Sequence, residues 1–404
     1  MPQVFPLLLA LWVTPAGGEN PAAWVQSLEG RIPDAAAIVE ALADGGAASA
    51  AALERALPED ALQRWGAALA AVPAHCAALT EGTGGTPSSD RALREFGLAC
   101  ATRFGTETCV EPLFRLCEGL PSSSDADAPA VVDAGAARFA QVLEALAPRA
   151  PKALAARTLR QLPHAWLAPT AEACGRTGLQ EGVAFLLAQL EGDPSLEPTA
   201  LTALARVARR RSAALELGDA GLRRVQFCLS SAHASTRAAA AQALGQLDAV
   251  RAVPELVDAL RDPQAAVQAA ALGALQTLTD LRMGLHPRAW TSWLADQDAW
   301  WEAHGARVLR DLANAQGADL TQALRLASTA RLHRRDLAPA LVALLDTHEV
   351  DQLRGALAAL EALRPARARV AVEALRAHPD SEVAHRATRL AARLGSPPLP
   401  ATRS

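Results

Sequence analysis

Six cysteines are the residues with the clearest chemical potential in this sequence of 404 residues. Four of them lie between residues 76 and 117, around the stretch 81–90, which is rich in Gly, Thr and Ser. An even number of cysteines favours disulfides in an exported chain, whereas thiols are expected in a reducing compartment. No C-x-x-C spacing occurs, so we expect no zinc site. The disulfide candidates, whose pairing stays open, are Cys76, Cys100, Cys109, Cys117, Cys174 and Cys228.

A group of arginines near the middle of the chain could bind an anionic partner. Arg206, Arg209 and Arg210 are spaced by three and four residues, which places them on one face of a helix. Arg210 and Arg211 are therefore candidate partner-binding residues. A solvated helix face is the alternative interpretation. We expect no nucleic-acid binding, because the net charge of the chain is −4 and nucleic-acid-binding domains are strongly basic.

Half of the eight tryptophans lie within residues 290–301. Spacings of three and seven residues place Trp290, Trp293 and Trp300 on one helical face. We expect these indoles to pack over a repeat junction, because large rings dominate packing where the neighbours are alanines. An aromatic patch for a partner is the alternative, with Trp290 and Trp293 as the candidates.

The sequence contains no catalytic motif that we recognise. It lacks G-x-S-x-G, G-x-x-x-x-G-K-[ST] and H-E-x-x-H, and no strand precedes a Gly-rich turn. We therefore predict a protein that is not an enzyme and that has no catalytic residue, metal or cofactor.

The elements that position these residues are predicted to be helices. The chain has 96 alanines and 38 arginines against one lysine, and it has no tyrosine. Alanine, leucine and arginine favour helix, so we predict an all-α fold. A helix, a turn at Asp262-Pro263 and a second helix fill residues 253–278, and the same plan recurs at 183–208, 222–247, 337–363 and 370–394. A period near 30 residues with two helices per unit indicates an α-solenoid, a superhelix of stacked helix pairs.

The second helix of this unit resembles a HEAT repeat. The resemblance rests on Asp262-Pro263, Val267-Gln268, Ala270-Ala271 and Leu275, and it extends over roughly 180–395. It implies HEAT-like helix pairs and a concave surface that binds a protein. Arg237, Gln268 and Arg354 are the second-helix candidates for exposure on that surface.

HEAT repeats often carry an Asp–Arg ladder between units, formed by an Asp and an Arg six positions apart. The corresponding pairs here are Ser231/Arg237, Asp262/Gln268, His348/Arg354 and His378/Ala384, and none is complete. The resemblance therefore leads us to doubt the ladder and to expect alanine packing to carry more of the stacking.

The domain organisation follows from these patterns. Residues 1–18 suggest a signal peptide, since an apolar run of about ten residues is too short to span a bilayer and small residues follow it, although no basic residue precedes it. We predict an irregular helical region at 19–178, with degenerate repeats and a Cys-rich hairpin, and HEAT-like repeats at 179–395. An irregular Trp-rich insert is expected at 280–317 and a disordered tail at 396–404.

The predicted function is that of a HEAT-repeat scaffold with a protein partner. The Trp-rich insert resembles a segment of bacterial HEAT arrays, and together with the leader it suggests an exported bacterial HEAT-repeat domain-containing protein, periplasmic or secreted, without a membrane span. The alternatives are a cytoplasmic scaffold with unpaired thiols and a helical-repeat enzyme, such as a lyase or a nucleic-acid repair enzyme. Residues 1–203 carry 13 basic and 23 acidic side chains, and 204–404 carry 26 and 20, which suggests two surfaces with different partners.

Overall fold

The fold is known from a computed structural model. All regular structure in the described ranges is helical, without a strand, so the predicted all-α class is confirmed. The predicted signal peptide and the tail at 396–404 lie outside these ranges. The chain forms two compact units, Met1–Ala173 and Cys174–Ser404. The described residues are 21–28, 31–82, 87–118, 134–158, 162–211, 215, 217–347, 349–365 and 368–395.

The first unit is built around two long helices, α4 (Glu59–Gly82) and α5 (Pro87–Phe104), which pack against each other along their lengths. Phe96 and Leu98 of α5 are fully buried in this core, as are Leu69 and Val72 of α4. The helix α9 spans His164–Thr177. The other helices of the first unit are α1 (Pro21–Ser27), α2 (Ala35–Leu42), α3 (Gly46–Ala56), α6 (Val110–Glu118), α7 (Ala134–Leu146) and α8 (Pro151–Thr158).

One stretch of the first unit, Ala35–Ala56, is long and apolar enough to cross a membrane by length and composition alone. Its chain bends at Gly46, whose φ of +54° is one that glycine adopts without steric cost. Ile38 and Leu53 on the two sides of this bend are fully buried, and α2 and α3 pack on α4 and α5. The large apolar side chains of this stretch, Ile38, Val39, Leu42 and Leu53, are thus buried within the unit.

The described part of the second unit contains six helix pairs, and in each pair the first helix packs on the second. The second helices α11, α13 and α15 lie side by side, and so do α17, α19 and α21. This arrangement confirms the predicted α-solenoid of helix pairs. The pairs are α10 (Val183–Ala188) with α11 (Glu197–Arg211), α12 (Asp219–Phe227) with α13 (Ala234–Gln246), α14 (Val253–Ala259) with α15 (Ala265–Thr279), α16 (Pro287–Asn314) with α17 (Gly317–Ala327), α18 (Arg334–Ala343) with α19 (Val350–Leu363), and α20 (Arg369–Ala374) with α21 (Ser381–Gly395).

The segment expected to be an irregular insert at 280–317 is largely one continuous helix. The helix α16 has 28 residues and forms a pair with α17, so most of this segment belongs to the array. Pro287 stands at its first position, where the missing N–H costs nothing.

Small residues let the second helices approach one another closely. A Cβ atom at Gly245 of α13 would lie 2.9 Å from the Cα atom of Ala274 in α15, which is closer than real Cβ contacts allow. Ala240 and Ala241 are also fully buried on α13. The alanine excess of the sequence therefore supplies the thin surfaces along which these helices stack.

The last described helix, α21, is strongly two-sided. Val383, Ala387 and Leu390 are fully buried, whereas His385 and Arg389 on the opposite face are exposed. The apolar side of α21 therefore packs into the repeat, and its polar side faces solvent.

Candidate partner-binding surface

An ion pair links the second helix of one helix pair to the turn of the next helix pair. The Arg237 guanidinium donates from Nε to Oδ2 of Asp262 at 2.7 Å and from Nη2 to Oδ1 at 3.0 Å. Its Nη1 donates to the carbonyl of Ser231 at 2.9 Å. Bidentate pairs of this kind are strong and directional. Arg237 therefore fixes both the turn of its own helix pair and the position of the following helix pair.

A second pair repeats this arrangement farther along the chain. Arg354 of α19 donates from Nη2 to Oδ2 of Asp380 at 3.0 Å, and its Nε lies 3.2 Å from Oε2 of Glu382. The ladder that the sequence left in doubt is therefore present, because its partners lie in successive helix pairs rather than within one helix pair. The paired residues are 25 and 26 positions apart in the chain rather than six. His348 lies outside the described residues.

The local environment holds both aspartates of the ladder in the ionised form. Hydrogen bonds from Arg237, followed by that from the Gln264 amide, lower the pKa of Asp262 against the opposing effect of its burial. The same contact raises the pKa of Arg237. The pKa of Asp380 is lowered chiefly by the backbone hydrogen bond from Val383, with Arg354 contributing less.

Three predicted partner-binding residues therefore have contacts within the chain. Arg237 and Arg354 form the ladder, and Gln268 donates from Nε2 to the carbonyl of Asp262 at 2.7 Å. All three side chains are half-buried. Their role in the structure is to order the units, and their contact with a partner remains a prediction.

The outward side of these helices, which we call the second-helix face, carries mostly small and uncharged residues. Ser235 and Gln242 of α13 and Ala269 and Gly273 of α15 are exposed. A Cβ atom at Gly273 would meet nothing within 4 Å. The only charged side chain on α13 is Arg237, and α15 has none. The face is therefore neutral across these two helices.

The arginine-rich end of α11 borders this face. Arg206, Arg209 and Arg210 are exposed and take part in no ion pair within the described part of the chain. The side chain of Arg211 lies outside the described residues. On the neighbouring helix α12, Arg224 is paired with Glu191 at 2.6 Å. Three exposed arginines without an ion pair among the described residues thus lie within five residues of α11.

The tryptophans of α16 divide into a buried anchor and a half-buried group. Trp290 is fully buried, and its Nε1 donates to the carbonyl of Gly284 at 3.1 Å. Trp293 meets it edge to face, with ring centroids 5.8 Å apart. The packing role predicted for Trp290 is therefore present, and burial keeps that residue from a partner. Trp293 stays accessible on one side.

Farther along α16, two histidines stack on indoles. The rings of Trp301 and His333 are parallel within 2° and their centroids are 3.9 Å apart. Trp300 stacks on the exposed His304 at 5.2 Å. Burial lowers the pKa of His333 despite the opposing effect of Asp336, 3.6 Å from its Nδ1. The imidazole is therefore held neutral in this stack at physiological pH.

The structure contradicts the predicted disulfides, because no cysteine of this chain is disulfide-bonded and all six thiols are buried. Burial raises the pKa of Cys76 and of Cys174 to about 12, and that of Cys228 to about 11. It also raises the pKa of Cys100 and Cys109. These side chains act as small apolar residues of the core, and a protonated thiol is a poor nucleophile.

In the described part of the chain, no three His, Cys, Asp or Glu side chains converge as metal ligands would.

Comparison with known families identifies one segment of this chain. Residues 222–289 match the family model of HEAT repeats, which covers α12 to α15, the connection that follows them and the start of α16. The chain therefore contains HEAT repeats over this segment. No curated protein matches the sequence significantly.

Solved structures that are similar to this chain share little sequence identity with it. An engineered protein is 18% identical, with 94% of this chain and 100% of that chain covered and a TM-score of 0.33. The complex of CpcE and CpcF of phycocyanin lyase from Nostoc sp. PCC7120 is 17% identical over 80% and 94%, with a TM-score of 0.28. A mutant of Kap121p is 14% identical over 93% of this chain and 47% of its own length, with a TM-score of 0.33. This chain thus spans about half of that protein.

Proposed function

We propose that this chain is a non-enzymatic scaffold that binds a protein partner through the second-helix face of its HEAT repeats. The observation that carries the proposal is the ladder, since Arg237 and Asp262 lock successive units together and leave the outward side of α13 and α15 unoccupied. A rigid row of helices offers a partner a surface that needs little ordering on binding.

The chemistry of this face indicates what it would accept. Small neutral side chains on α13 and α15 let another backbone approach closely, while Arg206 and Arg209 at the border favour acidic groups. Positive charge at the border of an interface mainly affects the rate of association. The partner is therefore proposed to contact α13 and α15 with an uncharged segment and α11 with carboxylates.

Site-specific photocrosslinking tests this proposal. A photoreactive amino acid at Ala269 or Gln242, both exposed on second helices, should crosslink one defined protein in an extract of the source organism. The matched control is Ala220, an exposed alanine on the first helix α12. Equal crosslinking from Ala220, or none from Ala269 and Gln242, would refute the second-helix face as the binding surface.

Export of the mature chain is a separate part of the proposal. Its support is the short apolar run at 4–13 with the small residues Ala16 and Gly18 after it. The intact mass of the native protein tests it, because cleavage after Gly18 leaves Glu19 as the first residue. Recovery of a chain that still starts at Met1 would overturn export.

A further inference from the structure

The middle of α16 is an exposed segment between two buried ends. Trp290 before it and Gly305 after it are buried, and none of the residues 291–304 is. The segment nevertheless holds three half-buried indoles. Half-exposed indoles grouped on one helix are typical of interaction sites.

Two of these indoles form a ridge with a carboxylate between them. Trp293, Asp296 and Trp300 are spaced by three and four residues, so they lie on one side of the helix. Trp293 is supported by the buried Trp290, and Trp300 by the ring of His304 at 5.2 Å. Asp296 is exposed and forms no ion pair within the described residues. The ridge is therefore preorganised, and the charge of Asp296 is available to a ligand.

The charge of this segment differs from that of the unit around it. Residues 289–306 contain Asp296, Asp298 and Glu302 and neither Lys nor Arg, whereas residues 174–404 carry 27 basic and 24 acidic side chains. Asp298 interacts electrostatically with His333. The ridge is thus a negative aromatic surface in a unit that is otherwise basic, and a cationic ligand is complementary to it.

We propose that Trp293, Asp296 and Trp300 bind a protein segment in the polyproline II conformation with two arginines three residues apart. This inference rests on the proposed scaffold function and names the chemistry of a partner. Seven helical residues separate the indoles by about 10 Å along the axis, which is close to the rise of about 9 Å over one three-residue turn of polyproline II, where residues three apart point to the same side. Each guanidinium would stack on one indole and one of them would pair with Asp296.

Arginine suits this ridge better than lysine does, and phosphate does not suit it at all. A guanidinium is planar, stacks on indoles and donates two parallel hydrogen bonds to a carboxylate, while an ammonium is a strongly hydrated point charge. Asp296, Asp298 and Glu302 would repel a phosphate backbone.

Peptide binding to the full chain tests the proposal. The probe is a fluorescein-labelled peptide, Gly-Arg-Ala-Ala-Arg-Gly, measured by anisotropy at low salt. The comparison peptides replace both arginines with lysine or with glutamine. The variants are Trp300→Ala and Asp296→Asn, and the matched controls are Phe227→Ala, which changes an exposed aromatic residue of α12, and Asp319→Asn, which changes an exposed carboxylate of α17.

The arginine peptide is expected to bind most tightly, and Trp300→Ala should weaken its binding roughly 3- to 30-fold, the range that cation–π contacts supply. Asp296→Asn, an exposed change that leaves the fold intact, should weaken binding and reduce its salt dependence, while both controls stay at the wild-type value. Equal affinity for the glutamine peptide, or loss of affinity in the controls, would overturn the proposal. So would concentration-dependent self-association that Trp300→Ala abolishes in the absence of peptide. Crosslinking at Ala269 without peptide binding would refute this inference alone.

Discussion

The ladder between Arg237 and Asp262 yields the sharpest test of how the units are held together. Asp262→Asn removes the negative charge but retains a side-chain oxygen for the Gln264 amide, which donates to Asp262 Oδ1 at 2.9 Å. Asp262→Ala removes both interactions. The side chains of Arg237 and Asp262 are only 15% and 9% exposed, so loss of the carboxylate leaves a largely desolvated guanidinium.

The magnitude follows from these contacts. A charged hydrogen-bonded pair contributes about 1.5 to 3 kcal/mol, and Arg237 keeps its bonds to two carbonyls, so we expect Asp262→Asn to cost about 2 kcal/mol locally. Asp262→Ala should cost about 1 kcal/mol more, because it also breaks the turn before α15. The paired change Arg237→Gln allows a double-mutant cycle with a coupling of about 1.5 kcal/mol.

Hydrogen exchange followed by mass spectrometry is the suitable assay, because a chain of two units does not unfold in a single two-state step. Amides of α13 and α15 should exchange about 30-fold faster in Asp262→Asn, whereas amides of α4 and α5 should be unaffected. Equal protection of α13 in the wild type and in both variants would refute the ladder as a stabilising contact. A coupling below about 0.5 kcal/mol would show that Arg237 and Asp262 act independently.

Three other predictions concern packing, pH and thiol chemistry. Gly245→Val should destabilise α13 and α15 by more than about 2 kcal/mol, because its side chain would overlap Ala274; thermal melting measures this, and an unchanged melting temperature would contradict the close approach. Because the pKa of Asp262 is lowered in the folded chain, its contribution to stability is complete above about pH 4 and is lost as pH falls through its folded-state pKa. Hydrogen exchange of α15 amides should therefore accelerate only in acid, and this acceleration should be absent in Asp262→Asn. The buried thiols should resist a thiol reagent at pH 8 in the native chain and react fully in denaturant; rapid native labelling would contradict their burial.

Helix and repeat content could be predicted from the sequence, because both depend on local patterns. The turn at Asp262-Pro263 and the apolar period around it predicted α14 and α15, and the structure places them at Val253–Ala259 and Ala265–Thr279. The Trp-rich segment was expected to be irregular, although its indoles have helical spacing, since it interrupts the recurring helix pairs. Its regularity comes from the two anchored ends of α16.

Contacts between successive helix pairs could not be predicted from the sequence. The Arg237–Asp262 pair joins residues 25 positions apart, and only stacking brings them into contact. The disulfide prediction failed for a related reason, since an even cysteine count does not show where the thiols point. Asp296 was missed because an isolated acidic residue on a helix is ordinary, and its position between two indoles gains meaning only when they are seen to be half-exposed.

The way in which α16 joins its neighbours has a consequence for unfolding. One apolar core extends from Val308 to Leu394, with no earlier buried residue in it among those described. Across its border, Arg334 reaches back to Asp248 and to the carbonyl of Leu278. The helix α16 itself crosses this border, with Trp290 buried before it and Val308 buried after it, so the polar contacts of Arg334 add to an apolar connection.

Salt should weaken this polar link and leave the apolar connection intact, because the ion pair between Arg334 and Asp248 is screened and the buried residues of α16 are not. We therefore expect high ionic strength to lower the resistance of this border to unfolding without separating the helices that α16 joins.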